Sequence, residues 1–271
     1  MADKGRSGGV RQADVARAAG VSTATVSRVL NGSPLVSADV RARVEAVVAR
    51  TGYMPDLGAR MLATRRSRAL GAIVPTLDNA IFAAALDGFE AEARAAGFAL
   101  MIAVSNYDPE QEAALIRQMS ARGVEGLLLV GNDRDAGVRA VLERRGLRHC
   151  CAWCHDPDAA APNVGFDNAA AMAPVVDHLV ATGRRRIAVL AGMLAGNDRA
   201  RGRLDGACAR LAHHGMAPVA RGESRYSLRQ AREAFGTLLA ARPDAVICGN
   251  DVIAFGVLSA ARRAGLRVPD D

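Results

Sequence analysis

The first quarter of the chain carries three short stretches in which apolar residues recur at helical spacing. The three sets are Val15, Ala16 and Ala19; Val26, Val29 and Leu30; and Val40, Val44, Val47 and Val48. Residues three and four apart lie on one face of an α-helix, so each set predicts a short helix with one buried face. Three such helices are enough for a small all-helical domain.

Residues that start and stop helices separate the three sets. Gly20 is placed to end the first helix, Ser22 is a candidate N-cap for the second, and Asn31, followed by glycine, ends it. Ser37 is placed to cap the third helix, with Asp39 in its first turn. Two short helices joined by a tight turn predict a helix-turn-helix, whose second helix enters the major groove of DNA. The alternative is a helical bundle with a solvated polar face, which has the same periodicity.

From residue 69 onward, short apolar runs alternate with longer helical stretches. Strands are predicted at 70–75, 98–104, 126–130, 149–152, 186–191 and 245–248. Helices are predicted near 80–96, 109–122, 135–145, 168–182, 199–214, 228–241 and 251–264. This alternation indicates an α/β body of doubly wound parallel sheets, in which ligands bind at the carboxyl ends of the strands.

Charge divides the 271-residue chain at the same place as the patterns do. Residues 1–68, here called the head, contain twelve Lys and Arg and five Asp and Glu, which gives the head the whole net charge of +7. Residues 69–271, here called the body, contain 23 residues of each sign. A small basic domain on a neutral body is typical of a protein that binds a polyanion such as DNA.

Several classes of protein lack support in the sequence. The N-terminal residues 1–12 have no apolar core, which argues against a secretory signal, and no apolar run reaches the ~18 residues of a membrane span. We therefore expect a cytoplasmic protein whose five cysteines are reduced thiols. There is no P-loop, nucleophile elbow or zinc-protease motif, and we expect no enzyme activity, no cofactor and no metal.

The head resembles the lactose-repressor (LacI/GalR) family of bacterial transcription factors. The resemblance rests on residues 14–16 (DVA), 19–22 (AGVS), 25–31 (TVSRVLN) and 52–55 (GYMP), with Arg11 as a departure at the cap of the first helix. It implies that three side chains read base edges: Thr23, Ala24 and Arg28. It implies phosphate contacts from Ser22, Thr25, Ser27 and Asn31.

The resemblance also gives a role to Leu62, as a wedge inserted into the minor groove from a short hinge helix. Residues 56–64 are compatible with such a helix because Pro55 lies near its start, while Gly58 weakens it. The alternative for Leu62 is a linker leucine that packs on the body.

The body resembles the effector-binding core of the same family, which is similar to periplasmic sugar-binding proteins. Residues 164–168 (VGFDN), 191–192 (AG), 200–206 (ARGRLDG) and 250–251 (ND) carry this resemblance. It implies that the following residues bind a sugar-like effector: Phe82, Trp153, Asn197, Arg201, Tyr226 and Asn250. Alternatives remain: a surface ion pair for Arg201, a helix cap for Asn250, and core packing for Phe82 and Tyr226. Trp153 stands where many relatives have a polar residue.

One motif points away from this interpretation. Residues 151–155 (CAWCH) match the C-x-x-C-H pattern of haem attachment, and Cys150 adds a third sulfur. Haem attachment takes place outside the cytoplasm, so we favour reduced structural thiols, with a thiol metal or redox site as the minor alternative.

Together these observations predict a repressor that binds a pseudo-palindromic operator as a homodimer under the control of a small sugar-like effector. The expected organisation is a flexible tail (1–9), a helix-turn-helix domain (10–55), a hinge helix and linker (56–68) and an effector-binding and dimerisation domain (69–271). The sequence ends at Asp271 where relatives continue into further strands, so we expect this body to be incomplete. The alternative function is a small-molecule binding module that has no sequence-specific DNA binding.

Overall fold

The computed structural model describes residues 10–54 and 66–270. They belong to two compact units, Met1–Ser67 and Arg68–Asp271, so the division lies one residue from the boundary between head and body. The tail at 1–9, the hinge segment at 56–64 and Leu62 lie outside the described residues.

The head contains the three predicted helices: α1 (Gln12–Ala19), α2 (Thr23–Leu30) and α3 (Ala38–Thr51). Arg11 is the N-cap residue of α1, but its side chain has no acceptor atom and forms no capping hydrogen bond. Instead the carboxylate of Asp14 accepts the backbone N–H of Arg11 at 3.0 Å, which is half of a capping box. The helix ends at Gly20, whose φ of +65° suits the left-handed C-terminal position.

A core of small apolar side chains holds the head together. Val15, Val26 and Val44 are fully buried, one from each helix, and Tyr53 closes the cluster. Val40 and Val48 of the predicted α3 stripe are only half-buried. Because its buried side chains are mostly valine and alanine, this core is small, as expected for a domain of this length.

The body consists of two lobes, each built on a parallel sheet. The sheet of the first lobe has the strands β1 (Ala69–Val74), β2 (Ala99–Val104), β3 (Gly126–Val130), β4 (Arg148–Ala152) and β5 (Asn163–Val164), in the order β2-β1-β3-β4-β5. Its helices are α4 (Ala80–Ala95), α5 (Pro109–Ala121) and α6 (Ala136–Arg144). Each strand pairs in parallel with its neighbours, as the alternation of strands and helices predicts.

The sheet of the second lobe has three strands in the order β7-β6-β8. They are β6 (Ile187–Gly192), β7 (Ala220–Ser224) and β8 (Ala245–Cys248). The helices of this lobe are α7 (Met172–Ala181), α8 (Asp198–His213), α9 (Leu228–Leu238), which continues into a 3-10 turn (Leu239–Ala241), and α10 (Asp251–Arg263). The predicted fold class, a helical head with an α/β body of parallel sheets, is confirmed.

The central strand β6 shows why the second sheet needs helices on both faces. All six of its residues are buried. Ala188 and Leu190 pack into one apolar cluster, whereas Ile187 and Val189 pack into another. Successive side chains point to opposite faces of a strand, so a run that is apolar at every position is stable only when both faces are covered.

The structure corrects three details of the predicted elements. Strand β7 was missed because its sequence, ARGES, is polar; it lies at the sheet edge, where Arg221 and Glu223 are exposed. The two-residue strand β5 was missed as well. The helix predicted from 168 begins only at Met172, because Asp167 accepts the backbone N–H groups of Ala169 and Ala170 in a turn.

The helices within residues 10–54 and 66–270 are all too short or too polar to cross a membrane.

Candidate nucleic-acid interface and effector cleft

Helix α2 of the head is anchored at its first turn. The Ser22 hydroxyl accepts the backbone N–H of Thr25 at 3.1 Å, as its predicted N-cap role requires. The side-chain amide of Gln12, on α1, donates to the carbonyl of Thr23 at 2.9 Å. Sequence reasoning assigned no role to Gln12. These bonds set the direction of α2 relative to α1.

The far end of α2 is held from α3. The Arg41 guanidinium donates to the carbonyls of Ser33 at 2.7 Å and Val29 at 3.5 Å. The Asn31 amide donates to the hydroxyl of Ser27 at 3.3 Å, so these two predicted phosphate ligands lie side by side. Arg41 thereby fixes the turn that follows α2.

One face of α2 is left open to solvent. The exposed predicted DNA-binding residues are Ser22, Thr23, Ala24, Arg28 and Asn31, and the half-buried ones are Thr25 and Ser27. The opposite face buries Val26 and Val29. Within the described part of the chain, no carboxylate pairs with Arg28, so its guanidinium is available to a base edge or a phosphate. Seven of the eight predicted DNA-binding residues thus lie on or beside one helix.

The body contains a cleft of about 290 Å³, which is lined by residues that come after the carboxyl ends of strands in both lobes. Five of the six predicted effector-binding residues line it: Phe82, Trp153, Asn197, Tyr226 and Asn250. The other lining residues had no predicted role: Asn79, Ile81, Tyr107, Phe166, Asn168, Arg199, Arg203, Gly249 and Asp251. The volume is suited to a ligand about the size of a single ring.

Three helices start at this cleft, and each is capped by an asparagine. Asn79, Asn197 and Asn250 are the N-caps of α4, α8 and α10, and their side-chain oxygens accept first-turn N–H bonds at 3.1, 3.3 and 3.0 Å. The capping role weighed for Asn250 is therefore present. Asn197 is almost fully buried, and its amide also donates to the Tyr226 hydroxyl at 2.8 Å.

Aromatic rings form the walls of the cleft. Phe82 and Trp153 pack edge to face with ring centres 4.9 Å apart, and Tyr107 and Tyr226 pack at 5.1 Å. Phe82 is also part of the apolar core under α4, so it is both core and wall. Burial, with a smaller contribution from Tyr226, raises the pKa of Tyr107, and its hydroxyl stays protonated at neutral pH.

Two arginines of α8 face the cleft. Arg199 is buried and pairs with Asp198 at 2.7 Å. Arg203 donates to the side-chain oxygen of Asn168, while its Nε is buried without a hydrogen-bond partner within the described ranges. Burial lowers the pKa of Arg203. A guanidinium held in this way can donate hydrogen bonds to a ligand at little conformational cost.

Arg201 does not join these residues. It lines an adjoining cavity of about 360 Å³, where its guanidinium pairs with Asp133 and donates to the carbonyl of Leu194 at 2.6 Å. Its assignment as an effector ligand stays a prediction. The spacing of the arginines could have indicated the difference, because on a helix Arg199 and Arg203 share a face, whereas Arg201, two residues from each, does not.

The cysteine segment of the first lobe has an inert environment. Cys151 and Cys154 are buried, Cys150 is half-buried, and all three are free thiols. Burial raises the pKa of Cys151 and raises that of Cys154 to about 11, which keeps both thiols protonated and weakly nucleophilic. Over residues 10–54 and 66–270, no three His, Cys, Asp or Glu side chains are placed to hold a metal ion.

Family comparisons match both parts of the chain. Residues 13–56 match the family described as "Bacterial regulatory proteins, lacI family". Residues 67–271 match the family described as "Periplasmic binding proteins and sugar binding domain of LacI family". Residues 57–66, which the two matches leave between them, lie just before the boundary between head and body.

Individual proteins agree with these matches. The HTH-type transcriptional regulator GntR of Escherichia coli (strain K12) is 31% identical over 266 residues, covering 95% of this chain and 78% of that protein. Catabolite control protein A of Staphylococcus xylosus is 28% identical over 261 residues, covering 95% and 79%.

Solved structures show the same relationship. A LacI-family transcriptional regulator from Silicibacter pomeroyi superposes with a TM-score of 0.85 at 28% identity, covering 96% of this chain and 79% of that one. The Lac repressor dimer bound to operator and the anti-inducer ONPF gives a TM-score of 0.84 at 28% identity, covering 97% and 80%. The chain therefore belongs to the LacI family of bacterial regulatory proteins.

Proposed function

We propose that this protein is a sequence-specific transcriptional repressor whose affinity for its operator is controlled by a small effector bound in the cleft of the body. The observation that carries the proposal is the open face of α2, where Thr23, Ala24 and Arg28 are exposed on a head that holds the whole net charge of +7. Such a face fits the major groove, and the excess charge favours binding to phosphates.

Within this face, the proposal divides the work between bases and phosphates. Arg28 donates to guanine O6 and N7, and the methyl groups of Thr23 and Ala24 contact thymine. Phosphate contacts come from Ser22, Thr25, Ser27 and Asn31. Leu62 is the proposed minor-groove wedge of a hinge helix within residues 56–68.

On the body side, the proposed effector is a sugar or related metabolite held by the cleft residues, with Arg201 retained as a candidate at the adjoining cavity. Binding changes the relative position of the lobes and, through the hinge, the spacing of two heads in a homodimer on a pseudo-palindromic operator. The solved Lac repressor dimer with operator and anti-inducer supports this arrangement by analogy. A role in the bacterial cytoplasm, without enzyme activity, follows from the same proposal.

Selection of bound duplexes from random-sequence DNA at physiological salt tests this function. The expected result is a pseudo-palindromic consensus bound about a thousandfold or more tightly than random duplex. Binding with no sequence preference would contradict the proposal and would favour a small-molecule binding module whose head has no specific role.

A further inference from the structure

Among the described residues, one guanidinium of the cleft, that of Arg203, forms no ion pair with a carboxylate. Arg199 is neutralised by Asp198 at 2.7 Å, whereas Arg203 has two neutral partners, the amide of Asn168 and the hydroxyl of Tyr226, and has Arg199 as its charged neighbour. The Nε of Arg203 is buried and unpartnered within the described ranges. Buried hydrogen-bond donors are normally satisfied, and an unpaired one is costly. This donor therefore indicates a missing acceptor.

The helix starts reinforce the positive potential at this place. Helices α4, α8 and α10 contain 16, 16 and 13 residues, and their N-caps Asn79, Asn197 and Asn250 all line the cleft. The N-terminus of a helix carries roughly half a positive charge, and backbone N–H groups at such an end favour an anion. Three helix starts around one small cavity add to the field of Arg203.

Free side-chain groups of the cleft are mostly donors. The oxygens of Asn79 and Asn250 are used in capping, which leaves their NH₂ groups for a ligand. Among the described residues that line the cleft, Asp251 alone carries a carboxylate. Its side chain is exposed, and one of its oxygens accepts the backbone N–H of Val252 at 3.0 Å. A neutral sugar hydroxyl both donates and accepts, so it would find few acceptors here.

We propose that the effector is a small organic monoanion whose carboxylate is bound by Arg203 at the junction of the three helix starts. The inference rests on the proposed function only in that it takes the cleft to be the effector site. The single positive charge of Arg203 can be neutralised by one carboxylate. The planar pair of N–H donors of a guanidinium also fits the two oxygens of a carboxylate. The aromatic walls, Phe82 with Trp153 and Tyr107 with Tyr226, then contact the flat or CH-rich face of a single ring.

Isothermal titration calorimetry on the full chain with matched pairs of ligands tests the charge directly. Each pair has the same ring and differs in its acid group: glucuronate with glucose, and 4-hydroxybenzoate with 4-hydroxybenzyl alcohol. We expect the acid of at least one pair to bind about tenfold or more tightly than its neutral partner. Glucose 6-phosphate is included to distinguish a carboxylate from a phosphate.

Two arginine variants locate the effect. Arg203→Met is expected to reduce the preference for the acid to less than about threefold, while Arg203→Lys, which keeps the charge, retains part of it. Arg263→Met is the matched control, because Arg263 is exposed near the end of α10, far along the helix from its capped start. The control variant should show the wild-type preference.

Four results would overturn the proposal. They are equal or tighter binding of the neutral partners, tighter binding of glucose 6-phosphate than of every carboxylate, no acid with a Kd below about 1 mM, or an unchanged preference in a folded Arg203→Met protein. The wild-type comparison stands even if that variant fails to fold. Operator binding is measured separately, so loss of DNA specificity would refute the proposed function while leaving the preference for acids intact.

Discussion

The head and the body present their candidate binding residues in opposite ways, on a protruding surface and in a concave one. The head places its candidate contacts on the outside of a single helix, supported by a core of valines and alanines. The body places its candidate contacts around a concave cleft, between lobes whose cores contain leucine, isoleucine and phenylalanine. A groove of DNA surrounds a protruding helix, whereas a small molecule must itself be surrounded. The difference in core size follows from the lengths of the two units, 67 and 204 residues.

The largest expected effects on this contrast come from substitutions that remove buried side chains from each core. Leu129 is fully buried in the first lobe, and Leu129→Ala is expected to cost about 2–5 kcal/mol of unfolding free energy in the body. Val44 is fully buried in the head, and Val44→Ala is expected to cost about 2 kcal/mol there.

The two effects are measured with separate probes. The single tryptophan, Trp153, lies in the body, so its fluorescence follows the body through thermal unfolding, while hydrogen exchange in α1–α3 follows the head. Because the core clusters share no residue, each substitution should destabilise its own unit. A shift of the Trp153 transition by Val44→Ala as large as that caused by Leu129→Ala would contradict separate cores.

Helix caps give a second, smaller contrast. Asn197 is 1% exposed and makes hydrogen bonds to Ala200, Met193 and Tyr226. Asn197→Ala is expected to cost about 2–3 kcal/mol, because it leaves buried groups without partners. Ser22→Ala removes an exposed cap and is expected to cost about 1 kcal/mol in the head. Urea unfolding of the two variants, followed with the same two probes, measures the loss of unfolding free energy that each one causes. Equal losses would show that burial of the cap does not determine its contribution to stability.

The smallest expected effect is a pH dependence confined to the body. Hydrogen bonds from Arg210 and His214 lower the pKa of Asp177 from 3.8 to about 2 and connect α8 to α7. Because the folded pKa lies below the unfolded one, this carboxylate stabilises the fold above pH 3.8, and the contribution is lost as the pH falls through 2.

Asp177→Asn should therefore flatten the loss of stability between pH 4 and pH 2, as followed by denaturant unfolding with Trp153 fluorescence. The expected change is small, since the side chains involved are partly open to solvent. Asp87→Asn, at an exposed position of α4, is the matched control and should leave the profile unaltered. The same slope for both variants would refute the role of Asp177.

Periodicity and helix caps made most of the fold predictable, and the misses have physical causes. The apolar runs of β1, β3 and β6 are buried on both faces and could be read from hydrophobicity alone. Strand β7 is stabilised by pairing with β6, and its charged Arg221 and Glu223 face solvent, so its sequence carries no apolar signal. Local patterns predict elements with apolar side chains, whereas the polar strand β7 depends on pairing with its neighbour.

The candidate sites divide in the same way. Helical spacing predicts which residues of α2 are exposed, because they lie on the face opposite the buried valines. The cleft depends on contacts across long sequence separations, such as that of Asn197 with Tyr226. Arg199 and Arg203 line the cleft and Arg201 lies at the adjoining cavity, a difference that the motif alone does not give but that the helical spacing of the three arginines does.

The central claim, that the face of α2 reads DNA sequence, is tested most directly by comparing Arg28→Ala with Arg43→Ala. Both remove one positive charge from the head, but Arg43 lies on α3, where it pairs with Asp39 at 3.9 Å. In operator titrations at fixed salt, Arg28→Ala should weaken binding by roughly 1–3 kcal/mol and relax the preference at one base pair. Arg43→Ala should leave base preference intact. Unchanged affinity and base preference for Arg28→Ala would contradict the account.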